Sequence, residues 1–272
     1  MPKYAYSTML YLLLPPRRAV EKIVELGLNV DVSYDNFAVL GGRAVEDVYM
    51  EELVAASRDF HGHVEALHLP YDELEPSTAF TEAVRRRLVK WVDFASKLGV
   101  KVVVTHTLSI DSSSEQALEL NSKFLRTLVS EAEDRGLLLA VENRLERGLF
   151  GHSPEEIRAL VETLRGSVGV CLDVGHAHIN NNLEEHLSLL GNYIVAIHAH
   201  DNNGTHDLHL PPYTGTVHWH KLEKWIIDSG FNGVVIFEVL CKLDVPTCEK
   251  TLLYVKSTPI ASIGGARKPL TP

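Results

Sequence analysis

The sequence predicts an α/β fold, a single (β/α)8 TIM barrel, and three observations carry that reading. A strand-length apolar run, a polar loop and an amphipathic stretch recur about eight times along the chain. Its 272 residues fit the ~250 typical of such a barrel. No Gly-x-Gly-x-x-Gly or Walker-type turn follows the first run, as an open nucleotide-binding sheet would require. Strands that alternate with helices make a parallel sheet, and eight units are enough to close it.

Taken in order, the strand-like runs are Tyr4–Leu10, Leu28–Val32, Val64–Leu69, Val100–His106, Leu137–Glu142, Val168–Asp173, Tyr193–His198 and Gly233–Glu238. They are rich in Val, Ile and Leu, as parallel strands covered on both faces must be. Helices are expected at Pro16–Leu26, Val45–Phe60, Thr78–Leu98, Ser114–Arg135, Pro154–Leu164, Leu183–Leu190, Trp219–Ser229 and Val245–Lys256. Ser153-Pro154-Glu155-Glu156 supplies an N-cap, a proline at the first helical position and acids in the first turn, while Gly27, Gly99 and Gly136 stop helices. The barrel is expected over residues 1–258. Residues 259–272, with Gly264-Gly265 and three prolines, form a C-terminal extension.

Bulk properties narrow the function. Hydrophobic residues make up 45% of the chain, yet no apolar stretch approaches the roughly 18 residues that span a bilayer. The start, Met1-Pro2-Lys3-Tyr4, lacks the layout of a secretory signal, so a cytoplasmic location is expected. Cys171, Cys241 and Cys248 have no metal-finger spacing and suggest a reducing compartment without disulfides. A net charge of −10 argues against a nucleic-acid partner, although a local basic face would be compatible with it. The expected partner is a small molecule, with no membrane association.

The chemistry concentrates at strand ends. Glu142 and Glu238 follow apolar runs and would face the barrel mouth, where a buried carboxylate is costly unless a metal or cation pairs with it; the structural alternative is a salt bridge across a loop. Asp173 and His176 sit three apart in Leu-Asp-Val-Gly-His, with Gly175 allowing a sharp turn. The alternative for Asp173 is a helix N-cap. His198 and His200 share a strand face, and the pattern leaves open which of them would bind metal. Asp207 and His209 project from one side of an extended segment, and His68 and His106 end two earlier strands. Isolated strand histidines are more often core residues; position at predicted C-terminal strand ends gives these two their weight. Mixed imidazole and carboxylate ligands suit Zn²⁺, Mn²⁺, Fe²⁺ or Co²⁺ better than Ca²⁺.

From about Val64 to Glu238 the pattern resembles the xylose-isomerase-like TIM barrel superfamily, which includes sugar-phosphate isomerases and epimerases and endonuclease IV. The resemblance is carried by Ala-Val-Glu142-Asn143, Cys-Leu-Asp173-Val-Gly-His176, His198-Ala-His-Asp-Asn-Asn-Gly, Asp207-Leu-His209-Leu-Pro-Pro and Phe-Glu238-Val. It implies one divalent metal, Zn²⁺ or Mn²⁺, on Glu142, Asp173, His198 and Glu238, with the two glutamates moving protons at substrate carbons. His200, Asn143 and Arg144 would position a sugar or sugar phosphate. The endonuclease IV branch implies instead up to three zinc ions, adding His68, His106, His176, Asp207 and His209, and cleavage at abasic sites in DNA. The loops near Tyr34–Gly42 and Pro70–Pro76 are neutral or acidic here, whereas the duplex-penetrating loops of that branch are basic and aromatic. The resemblance thus favours isomerisation or epimerisation, and it is compatible with a homodimer.

Overall fold

The computed structural model describes residues 1–263. Eight parallel strands close in chain order into one barrel: β1 (Lys3–Ser7), β2 (Asn29–Val32), β3 (Val64–His68), β4 (Val102–Thr105), β5 (Leu138–Glu142), β6 (Gly169–Asp173), β7 (Ile194–His198) and β8 (Val234–Phe237). Around them lie α1 (Pro16–Val24), α2 (Tyr34–Val39), α3 (Glu46–Ala55), α4 (Pro76–Ala79), α5 (Glu82–Leu98), α6 (Ala117–Glu133), α7 (Pro154–Thr163), α8 (Val174–Ile179), α9 (Leu183–Leu190), α10 (Trp219–Ser229) and α11 (Val245–Lys256). Among the described residues no helix is long and apolar enough to cross a membrane.

Departures from the expected elements have local causes. β1 stops at Ser7, whose hydroxyl accepts from the Met9 amide and starts a 3-10 turn over Thr8–Tyr11. The expected helix at Thr78–Leu98 divides because Thr81 caps α5 through its side chain. The segment from Tyr34 is helical rather than a loop, capped by Ser33. α7 carries the capping box expected at Ser153 and Glu156, and α5 ends on Gly99 at φ 77°, a left-handed position that glycine occupies without strain. The beginning of the C-terminal extension is packed: Ile260 is buried and its amide donates to the Tyr213 hydroxyl. Residues 264–272 of that extension lie outside the described residues.

Alternation along the strands builds two cores. One face of each strand points outward under the helices, where Leu67, Val103, Leu139, Leu172, Ile197 and Val235 are fully buried, each removal from water contributing roughly 1.5–3 kcal/mol. The other face fills the barrel with small side chains: Ala5, Ala66, Val104, Ala140, Cys171, Ala196 and Ile236. Two residues further along each strand direction, the same inward face presents Ser7, His68, His106, Glu142, Asp173, His198 and Glu238. The barrel thus has an apolar floor and a titratable mouth.

The cysteine expectation is corrected. Cys241 and Cys248 form a disulfide across the turn that leads into α11, with Cα atoms 5.7 Å apart, within bonding reach. The Asp244 N-cap folds this turn and brings together two residues whose spacing alone carried no signal. Cys171 is free and buried, and the cysteine argument for a reducing compartment is removed.

A buried ion network ties the N-terminal helices together. Arg87 of α5 donates to Glu46 of α3 at 2.9 Å, to Asp72 in the loop after β3 at 2.7 Å and to the Tyr34 hydroxyl of α2 at 2.8 Å. Glu46 is only 1% exposed, so removing Arg87 leaves its buried charge with only Lys90, at 3.8 Å. Arg87→Met is expected to lower unfolding free energy by about 3 kcal/mol, read by denaturant unfolding; a loss within experimental error of zero would contradict this role.

Candidate metal centre

Glu142 ends β5 and lies at the hub of the mouth. Its Oε2 is 3.0 Å from His68 Nε2 and 3.2 Å from His106 Nε2, while Oε1 is 3.4 Å from His198 Nδ1. The same His198 nitrogen lies 3.5 Å from Glu238 Oε2 and 3.8 Å from Asp173 Oδ2. The residues expected at one metal therefore surround a single imidazole. Register explains part of this, since Asp173 and His198 are paired neighbours on β6 and β7.

A second group adjoins the first. His200 Nε2 is 3.0 Å from Asp173 Oδ2 and its ring stacks on His209 at 4.0 Å between centroids. Asp207 Oδ2 lies 3.0 Å from His209 Nε2 and 3.4 Å from His176 Nε2. Among the described residues, four sets of three bring ligand atoms within 4.8 Å of one another: His68, His106 and Glu142; Glu142, Asp173 and His198; Asp173, His176 and His200; and His200, His209 and Glu238. Both His198 and His200 sit among carboxylates, so each remains able to serve as a ligand.

The donor set fits a cation on physical grounds. Glu142, Asp173, Asp207 and Glu238 form ion pairs only with histidines among the described residues. Buried carboxylates need compensation, yet both nitrogens of His198, Nδ1 of His200 and Oδ1 of Asp207 are buried without a hydrogen-bond partner. These atoms have the chemistry and the position of candidate ligands.

The environment splits the two glutamates. Burial would raise the Glu142 carboxyl, but the imidazoles of His198 and His106 outweigh it and hold it well below the usual range. Burial and then the charges of Glu142 and Asp173 push Glu238 well above its ordinary value. Against the desolvation that would lower it, the bond to Glu142 lifts His68 to about 8. Asp173, with Asp207 and Glu142, likewise overcomes burial and lifts His176 to about 10.

Several expectations change in detail. Asp173 is both a candidate ligand and a helix cap: its Oδ1 accepts from the His176 amide at 2.7 Å, so the structural alternative is realised alongside the chemical one. Gly175 serves close approach rather than a sharp turn, because it lies inside α8 and a Cβ there would come within 2.0 Å of the His200 ring. Asn143, expected at the substrate, instead clamps Asp173 with its side-chain amide, donating to the carbonyl at 3.1 Å and accepting from the backbone amide at 2.7 Å. Arg144 does line the cleft, beside His106, whereas His200 lies beneath its lining. Asp201 is occupied structurally by the Trp219 indole and the Val217 amide.

Two contributors were missed by sequence reasoning. Asp31 of β2 is 1% exposed with neither oxygen hydrogen-bonded, and its signal was an acid at an alternate position in Asn-Val-Asp-Val. Tyr71 stacks on His106 at 5.3 Å and 11° and donates to Asp35 at 2.7 Å. It follows His68 by three residues in a short loop, where periodicity gives no direction.

Comparison with known proteins agrees with this architecture. The family described as xylose isomerase-like TIM barrel matches residues 22–252. The chain is 28% identical over 250 residues to the uncharacterized protein MJ1311 of Methanocaldococcus jannaschii, covering 87% of this chain and 83% of that protein. Among solved structures it is similar to a D-tagatose 3-epimerase-like protein, with a TM-score of 0.75, 26% identity and coverage of 93% of this chain and 96% of that one. It shares its fold with a Thermus thermophilus protein soaked with ZnCl2, with a TM-score of 0.68, 24% identity and coverage of 98% of each chain. The match spans most of the barrel and includes every strand from β2 to β8; this chain belongs to the xylose isomerase-like TIM barrel family.

Proposed function

We propose that the chain is a divalent-metal-dependent isomerase or epimerase acting on a small sugar or sugar derivative. One observation carries the reading: Glu142 at the end of β5 and Glu238 just past β8 flank His198 Nδ1 at 3.4 and 3.5 Å and open into one cleft. Moving a proton between carbons needs one carboxylate ready to accept it and a second acid ready to return one. Environments that push two carboxyls apart meet that need. The similarity to an epimerase-like structure supports the same reaction class.

Glu142, Asp173, His198 and Glu238 would hold the ion, Zn²⁺ or Mn²⁺ by the mixture of ligands. When bound, it would polarise neighbouring hydroxyl and carbonyl oxygens of the sugar and acidify the intervening C–H. Glu142, kept ionised by His198 and His106, accepts the carbon-bound proton. Glu238, which faces the same imidazole from the other side, would return a proton there. Tyr71 and Arg144 wall the cleft and orient the sugar.

A second reading, a zinc phosphodiesterase of the endonuclease IV type, is favoured by the approach of His68, His106, Asp207 and His209 to the same cleft. Against it, Asp35 and Glu146 line the cleft and Arg144 is its one Lys or Arg among the described residues, a poor complement to phosphates. The test is a ketose and aldose panel, free and phosphorylated, incubated in D2O with Mn²⁺- or Zn²⁺-loaded protein. Deuterium should enter the carbon beside the carbonyl of at least one sugar, and Glu142→Gln and Glu238→Gln should each lower kcat/KM by roughly 10²–10⁴-fold. No exchange in any sugar, together with incision of an abasic duplex, would replace this reading by the second.

A further inference from the structure

Four histidines line the cleft: His68, His106, His176 and His209. Three of them direct Nδ1 at a backbone carbonyl: His68 at Leu69 over 2.8 Å, His176 at Asn143 over 3.0 Å and His209 at Glu238 over 2.9 Å. A carbonyl only accepts, so Nδ1 carries a proton in each of the three, and Nε2 is the nitrogen that can give up its proton and offer a lone pair when a cation enters the cleft. This is the outer bond that prepares an imidazole to bind a cation.

His106 is connected in the opposite sense. Its Nδ1 lies 3.4 Å from Arg144 Nη1, and a guanidinium has donors, no acceptor and a permanent charge. Nδ1 must therefore accept, which leaves the proton of the neutral ring on Nε2, 3.2 Å from Glu142 Oε2. For Nε2 to ligate a cation the proton would have to move to Nδ1, setting N–H against N–H. Arg144 is poorly placed to move aside: it is 7% exposed, its Nη2 donates to Ser109 Oγ at 3.1 Å, and its backbone amide donates to the Gly151 carbonyl at 2.9 Å. Tyr71, stacked flat on His106, holds the ring in plane.

We propose that Arg144 makes His106 a hydrogen-bond donor to Glu142 rather than a metal ligand, so that no ion occupies the corner formed by His68, His106 and Glu142. His106 is then a positioning residue. It fixes Oε2 of Glu142 and leaves Oε1 turned toward His198. The inference rests on the reading that the cleft binds divalent metal, and it deepens that reading by taking one candidate ligand out of the set.

The experiment counts zinc per chain by native mass spectrometry after loading and desalting, and records long-range ¹H–¹⁵N spectra of the histidine rings in the zinc-free protein. His106→Ala should leave the zinc count of the wild type unchanged; Arg144→Met should raise it by one, and the double variant should return it to the wild-type value. The spectra should show His106 protonated on Nε2 with a bare Nδ1, whereas Nδ1 carries a proton in His176 and His209. Loss of an ion in His106→Ala, no gain in Arg144→Met, or an Nδ1-protonated His106 would overturn the proposal. If no variant binds zinc, the metal reading fails, and the wild-type tautomer still decides whether the Arg144–His106–Glu142 chain exists.

Discussion

The mouth of this barrel gathers carboxylates that, among the described residues, no lysine or arginine neutralises. Glu142, Asp173 and Glu238 converge on His198, and Asp31 lies buried nearby with no hydrogen bond to either oxygen. Burial of unpaired charge is among the most expensive arrangements a fold can contain, and among the described residues imidazoles alone answer it here. The surrounding structure serves to keep these groups together: alternation aims them inward, Gly175 makes room for His200, and Asn143 clamps the Asp173 backbone. A cation is the simplest complement to such a set.

Support for the rim comes from the opposite kind of electrostatics. Arg87 is buried against Glu46, Asp72 and Tyr34, and the loop it fixes carries Tyr71 to the face of His106. Arg144 then meets His106 from the side of β5. Two arginines, one remote and one at the cleft, thus define the wall near His68 and His106. The acidic set beside His198 is left without such a partner, and this asymmetry separates the part of the mouth suited to an ion from the part suited to hydrogen bonding.

Much of this could be read from the chain because barrel strands repeat with period two and end on one side. Each strand-like run contained the observed strand or missed it by one residue, and its inward C-terminal positions gave Glu142, Asp173, His198 and Glu238. The short helices α2 and α8 escaped because six residues hold too little amphipathic repeat; the cap Ser33 was visible only as a polar residue, while Asp173 was readable as an N-cap. Asp31 was hidden in a strand judged by its apolar content. Asn143 and Gly175 occur in the right motif, but their roles depend on backbone contacts across strands. The disulfide depended on the path of the turn before α11, which spacing does not reveal. Most instructive is His106, whose residue type matched a ligand while the neighbour that sets its proton lay 38 positions away.

A divalent ion is expected to complete this buried acidic mouth. Thermal unfolding of chelator-treated protein with and without Mn²⁺ or Zn²⁺, alongside Asp173→Asn, tests it most directly. Selective binding to the folded state should raise Tm by several degrees, since saturation at about 100 times Kd is worth about 2.7 kcal/mol, and Asp173→Asn should lose most of that rise. An identical Tm with and without metal, and no ion retained by the wild type, would contradict the account.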